Sequence, residues 1–328
     1  LLKIWIKYGT ILVFAALILL SCEEDPVIQS PGFQSKPVIN CIINTRDSLH
    51  TIRLGRMYSG VMDPAIAAAL KDSIYYPDAK IRVVVGGKLE ADTISFTKED
   101  GFFNSEPYTG YCFPKKMVFG YPGALIYGGI SLEVEIPGLP TAIGYTRLEP
   151  PPVIFSPDRA QTDLYVADDR PIRIQWNGSA WNEIDFSFEV KEIYADTMIT
   201  RTIHYQKNTG WVNYLGQADK QYCELKVPYD LLVQLTAQNL KADPSVIRRF
   251  YGNISLIISS GNEDFKIYNH FYGGINDFNF NPFSNIENGL GLLASRSSTE
   301  KGGMRFDYWT RMTLAAEPLL EKFKFKEY

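Results

Sequence analysis

The chain is poor in the residues that most often carry chemistry. Only three histidines and four cysteines occur in 328 residues. His50, His204 and His270 stand apart from other potential ligands in sequence, so each reads as a strand or helix-surface residue rather than a metal ligand. No H-E-x-x-H, G-x-S-x-G, phosphate loop or C-x-x-C is present, which removes the local signatures of zinc proteases, serine hydrolases, nucleotide triphosphatases and thiol redox centres. Carboxylate pairs of the glycosidase kind leave no local signature, so the silence does not extend to them. Positive charge is not in excess either. A balance of 33 Lys+Arg against 37 Asp+Glu gives a net charge of −4, which leaves no basic field for nucleic acid.

Two partial motifs fail on their surroundings. Gly289, Gly291 and Ala294 fit G-x-G-x-x-A, but an Asn-rich loop precedes them where a dinucleotide site needs a strand. Glycines serving a turn and a strand are the expected reading. Asp277, Asn279 and Asn281 imitate the start of a calcium loop, yet Pro282 stands where its sharp turn needs glycine and Asn288 where its bidentate Glu belongs. No metal and no cofactor are expected.

Long apolar runs are also absent, with one exception at the amino end. Lys3 and Lys7 precede the uncharged stretch Ile11 to Leu20, and Ser21 supplies a small residue before Cys22. The order basic, apolar, small is that of an export signal over 1–21, and the run is shorter than the ~20 residues a spanning helix needs. Leu19-Leu20-Ser21-Cys22 resembles the lipobox of bacterial lipoproteins, which implies lipid attachment at Cys22. Several acyl chains at ~0.8 kcal/mol per buried methylene would make that attachment durable. Residues 22–37 then form a proline-containing tether that opens on Glu23-Glu24-Asp25. This cluster resembles the surface-export signal of Bacteroidota lipoproteins, which implies a place in the outer membrane facing the cell exterior; the periplasmic face is the alternative.

What the chain has in quantity is aromatic and β-branched alternation. Aromatics make up 13% of the residues, and about 300 residues beyond Cys22 suffice for two domains. Ile81, Val83 and Val85 form one apolar row; Ile130, Leu132, Val134 and Ile136 another; Ile172, Ile174 and Trp176 a third. Ile184, Phe186, Phe188 and Val190 oppose Asp185, Ser187, Glu189 and Lys191 in the clearest strand. Period-two rows bury one face and wet the other, as antiparallel sheets do. The expectation is a mainly β protein: an immunoglobulin-like or fibronectin-like sandwich over 38–148, a proline-rich linker over 149–158, and a β-rich domain over 159–328. Helical insertions are expected near 229–240, with Pro228 in its first turn, near 244–251 after an Asp243 cap, and near 263–272 after an Asn262 cap.

Once Cys22 is lipidated, Cys41, Cys112 and Cys223 remain, an odd set with no close pair. Cys41 alternates with Ile39 and Ile43 and reads as a small buried hydrophobe; a Cys112–Cys223 bridge stays open. Trp176 belongs to an apolar row and reads as core, whereas Trp181, Trp211 and Tyr214 are the candidate ligand-contacting aromatics, with packing as the alternative role. Ser48, Ser73, Thr93 and Thr197 each follow an aspartate and precede an apolar residue. These tripeptides resemble the O-glycosylation acceptors of Bacteroidota envelopes, although turn chemistry accounts for Asp-Ser and Asp-Thr equally well.

Three stretches together resemble the domain-of-unknown-function family 4249 of Bacteroidota lipoproteins: Val38-Ile39-Asn40 through Arg53-Leu54, Asp78-Ala79-Lys80-Ile81-Arg82-Val83, and Asn281-Pro282-Phe283-Ser284-Asn285-Ile286-Glu287-Asn288-Gly289-Leu290-Gly291. The segment before Pro282 is shortened relative to that pattern. Members are commonly encoded beside TonB-dependent receptors, so the resemblance implies a non-enzymatic accessory role in nutrient uptake. The partners it implies are a β-barrel receptor and a small-molecule, glycan or peptide ligand. It transfers no site residues. An envelope adhesin or structural module is the rival reading, and a surface hydrolase a third.

Replacing Glu23, Glu24 and Asp25 together by alanine is expected to abolish surface labelling of intact cells by protease or antibody. Labelling that persists would contradict the export role of the acidic cluster.

Overall fold

The computed structural model of the chain describes residues 36–44, 46–47, 49–57, 75–76, 78–85, 92–95, 97–103, 106–114, 129–208, 222–272 and 283–326. Within them the protein is mainly β. The first half supplies β1 (Pro37–Asn44), β2 (Leu49–Arg56), β3 (Lys80–Val85), β4 (Asp92–Ser95), β5 (Thr97–Phe103), β6 (Glu106–Pro114), β7 (Gly129–Glu135) and β8 (Ala142–Arg147). After the prolines come β9 (Ile154–Ser156), β10 (Asp163–Leu164), β11 (Ile172–Asn177), β12 (Trp181–Ile193), β13 (Met198–Asn208), β14 (Tyr222–Val227), β15 (Arg248–Gly261), β16 (Ile286–Glu287) and β17 (Leu290–Phe306). Three α-helices are described among these residues: α1 (Tyr229–Asn239), α2 (Glu263–Tyr272) and α3 (Tyr308–Ala316), the last followed by a 3-10 turn at Pro318–Phe323.

Alternation works as the sequence pattern requires. In β7 the residues Ile130, Leu132 and Val134 are fully buried, and in β12 Ile184, Phe186, Phe188 and Val190 are. These rows build two apolar cores. One gathers Ile39, Cys41, Ile52, Val83 and Leu132 with Ile286 and Leu293; the other gathers Trp176, Phe186, Phe188, Leu256, Phe306 and Phe323.

The two cores share one sheet. Its strand order is β13-β12-β15-β17-β1-β2-β6-β5, with β10 added to β17. The sheet therefore crosses the boundary expected at 149–158, and the halves are not separate in their hydrogen bonding. The shared element is β17. Its first part runs parallel to β1, from Val38 opposite Leu290 to Asn44 opposite Arg296. Its later part is antiparallel to β15, from Gly261 opposite Arg296 to Ile254 opposite Met304. A parallel pair between residues this distant in sequence has no local signal. Two smaller sheets, β14-β11-β9 and β16-β8-β7-β3-β4, complete the described strands.

Gly289 and Gly291 serve this pairing. Gly291 has φ +114°, and a Cβ there would collide with the carbonyl of Ile39 on the neighbouring strand, so only glycine fits. The turn-and-strand reading of these glycines is therefore the one the backbone adopts.

The helices differ in detail from the expected ones. Pro228 is the N-cap of α1 rather than a residue of its first turn, and the buried face carries Tyr229, Leu232, Val233 and Thr236. No helix forms at 244–251. Asp243 instead holds a tight turn, accepting from the Ser245 amide at 2.9 Å. The chain then enters β15, where pairing of Arg248–Tyr251 with β12 overrides the local cap signal. The third expectation holds: Asn262 Oδ1 accepts from the Phe265 amide at 3.1 Å and starts α2. Helix α3 went unread, although Asp307 caps it through the Thr310 amide at 2.9 Å.

A buried ion pair locks the carboxyl-terminal segment to the second core. The Arg249 and Glu192 side chains are each 1% exposed and meet at 2.7 Å. Arg249 also donates to the carbonyls of Phe323 at 2.8 Å and Lys241 at 2.9 Å. Burial raises the Glu192 pKa, but hydrogen bonds and charges from Arg249 and Arg201 outweigh it and hold the carboxyl below its usual range. Replacing Arg249 by Met is expected to cost about 3 kcal/mol, the low end for an orphaned buried charge because Arg201 still reaches Glu192. Urea unfolding at neutral pH measures this. Because the folded pKa of Glu192 is depressed, its stabilisation is complete above the unfolded value of 4.5 and fades as pH falls through the folded one. The cost of the substitution is therefore expected to shrink below that range.

Candidate functional site

The site begins where the first core hands the chain to the second. Beyond β8, the Glu149 amide donates to Ser295 Oγ at 2.9 Å, pinning the start of the proline stretch to the middle of β17. Glu149 itself is buried, and burial raises its carboxyl pKa against the opposing hydrogen bond from Ser179. The strap from Pro150 to Arg159 then runs across β17 and is tied to it twice. Thr299 Oγ1 donates to the Pro152 carbonyl at 2.6 Å. Lys301 Nζ donates to the Pro157 carbonyl at 3.1 Å and also to that of Asp158. Burial lowers the Lys301 pKa, while the Asp158 charge pulls it the other way. Prolines cannot donate to a ladder, so only the short β9 within the strap pairs, with β11, and side chains of β17 hold the proline-bearing ends on either side of it.

A groove of about 540 Å³ lies along the strap, walled by Pro151, Pro152, Val153 and Pro157 and edged by Arg46, Arg159, Glu300 and Lys301. Arg46 arrives from the tip of the β1–β2 hairpin, where Asn44 Oδ1 accepts from its amide at 3.2 Å. Asp158 Oδ1 caps the turn that carries Arg159, accepting from the Ala160 amide at 2.8 Å. On the other side of Pro157 lies a pocket of about 470 Å³ containing Tyr165, Asp163, Asp169, Arg170 and Arg173. Tyr165 is 41% exposed, with the Arg170 guanidinium 5.1 Å from its ring centroid. The Asp163 carboxylate is committed to Arg305 at 2.6 Å. The arrangement offers an aromatic face, apolar walls and charged groups of both signs, which suits binding of an amphiphilic ligand.

Of the sequence-expected ligand-contacting aromatics only Trp181 lies among the described residues, and it lines neither groove. Trp181 is a correction: it is 5% exposed and packs edge-on against Phe265 at 4.8 Å, in a small cluster with Leu292 and Ala294. Turn-forming Asn177 and Gly178 precede it, but Trp181 is the first residue of β12 and lies opposite Gly261. Trp176 is core, as expected, and donates through Nε1 to Asn182 at 3.1 Å. Trp211, Tyr214, Cys22, Ser48 and Ser73 lie outside the described residues, as do Asp277, Asn279, Asn281 and Pro282 of the calcium-like segment. Thr93 is in β4, with its side chain outside the description, and Thr197 is exposed in the hairpin turn between β12 and β13.

Cys41 is a buried thiol whose pKa burial pushes up to about 12. Cys223 is a free, buried thiol pushed up by burial to about 11. Among the described residues no group of three or more His, Cys, Asp or Glu is placed to hold a metal ion, and no helix is long and apolar enough to cross a membrane.

Sequence reasoning missed Arg46, Arg159, Tyr165, Thr299 and Lys301. The proline run marked the strap, but nothing local tells that Thr299 and Lys301 lie beneath it.

No protein-family model matches the chain, and no curated protein matches it. Among solved structures it is similar to the crystal structure of a DUF4785 family protein from Legionella pneumophila, at 9% identity and a TM-score of 0.21. That likeness covers 64% of this chain and 48% of the other, about half the length of the relative.

Proposed function

We propose that the protein is a non-enzymatic outer-membrane lipoprotein, anchored through Cys22 and facing the cell exterior. There it captures a small-molecule, glycan or peptide ligand for a TonB-dependent β-barrel transporter. The single observation that carries the capture role is the pair of open grooves flanking the strap, which combine apolar walls, the exposed Tyr165 ring and charged side chains in one place. Location is argued separately, from the lipobox-like Leu19-Leu20-Ser21-Cys22 and the acidic tether. The transporter partnership is supported by the resemblance to family 4249. On this reading the two cores are two β-sandwiches fused along β17, so a ligand at the strap touches the segment that connects both.

The test is purification of the tagged, lipidated protein from native membranes. A co-purifying β-barrel receptor is the expected result. Recovery of the lipoprotein without any such receptor would contradict the partnership and favour the adhesin reading.

A further inference from the structure

We propose that the strap groove is a carboxylate site that takes the free carboxyl end of an apolar chain, as at the C-terminus of a peptide; this rests on the ligand-capture reading of that groove. The chain as a whole is acidic, at −4, yet Arg46, Arg159 and Lys301 line this one groove against the lining carboxylate of Glu300, with Asp158 beside Lys301 as the second negative charge. Such a local reversal of sign focuses potential on an incoming anion.

The donors are unequal. Arg46 is held at a hairpin tip, and Lys301 spends two of its three N–H groups on the Pro157 and Asp158 carbonyls, which leaves one for a ligand. Arg159 is exposed and has no hydrogen bond or ion pair among the described residues. Its planar fork matches a carboxylate with two parallel bonds. Glu300 repels a multiply charged ligand at the same rim, which disfavours phosphate relative to a monoanion. The walls of Pro151, Pro152, Val153 and Pro157 ask for an apolar body behind the charge, which a bare sugar acid lacks.

The test is isothermal titration of the full chain in detergent with four probes: N-acetylated dileucine as the free acid, the same compound as its C-terminal amide, glucuronate, and inorganic phosphate. The acid is expected to bind at least about tenfold more tightly than each of the others, the discrimination of one charge-assisted pair. Arg159→Gln is expected to weaken the acid about tenfold and leave the amide unchanged. Thermal unfolding of that variant should match the parent, because Arg159 holds no other described group. Equal binding of acid and amide, tightest binding of phosphate or glucuronate, an unaffected Arg159→Gln variant, or no binding of the acid would each overturn the proposal. A receptor that co-purifies while this selectivity fails would remove the carboxylate site alone; selectivity without a receptor would remove the transporter partnership alone.

Discussion

The hydrogen bonds between Asn262 and Ser295 hold the molecule together at the point where its two cores meet. Asn262 donates its amide to the Ser295 carbonyl at 3.1 Å and accepts from the Ser295 amide through Oδ1 at 3.4 Å. Its Nδ2 donates to Thr146 Oγ1 at 2.6 Å and to the Arg147 carbonyl at 2.9 Å, at the end of β8. Thr146 passes the chain of bonds on to Asp264 at 2.9 Å. One side chain thus caps α2, extends the contact of β15 with β17, and ties both to the smaller sheet of the first core. Ser295 and Thr146 are almost fully buried, and Asn262 nearly so. In so dry a place a satisfied network is rigid and a broken one costly.

The position of the grooves follows from that knot. Ser295 also receives the Glu149 amide, so the same residue that joins the cores sets the start of the strap. Thr299 and Lys301, four and six residues further along β17, then fix where the strap lies. Lys301 links the strap to the groove most directly, because its side chain both holds the strap's carbonyls and lines the groove. The groove is therefore built on a strand that cannot shift without disturbing the pairing of both cores, a rigid mount for the strap.

Much of the local structure was legible, and most of the assembly was not. Period-two rows such as Ile184, Phe186, Phe188 and Val190 identify strands because a pleated ribbon has only two faces. Asn262 was readable as a cap because the amide that donates to it, that of Phe265, lies three residues away. The parallel union of β1 with β17 is of another kind, since nothing near Val38 refers to Leu290. The proline stretch looked like a linker between domains because prolines end ladders. The sheet passes around it, and Ile286 and Leu293 from beyond it pack into the first core. The expected helix at 244–251 failed where long-range pairing with β12, and the Arg249–Glu192 ion pair, prevailed over a local cap signal. Trp181 failed for the related reason that polar neighbours in sequence do not report what lies across the sheet.

Whether β17 and its knot truly make the two cores one cooperative unit is open to direct measurement. Cys41 lies in the first core and Cys223 in the second, both buried and both with raised thiol pKa values, so neither reacts readily until its surroundings open. Pulse thiol labelling across a urea series, resolved by peptide mass, reports each core separately. Coincident midpoints for Cys41 and Cys223 are the predicted result, as all-or-none unfolding requires. Two well-separated midpoints would contradict it, and would show the shared strand to be a seam between independent domains.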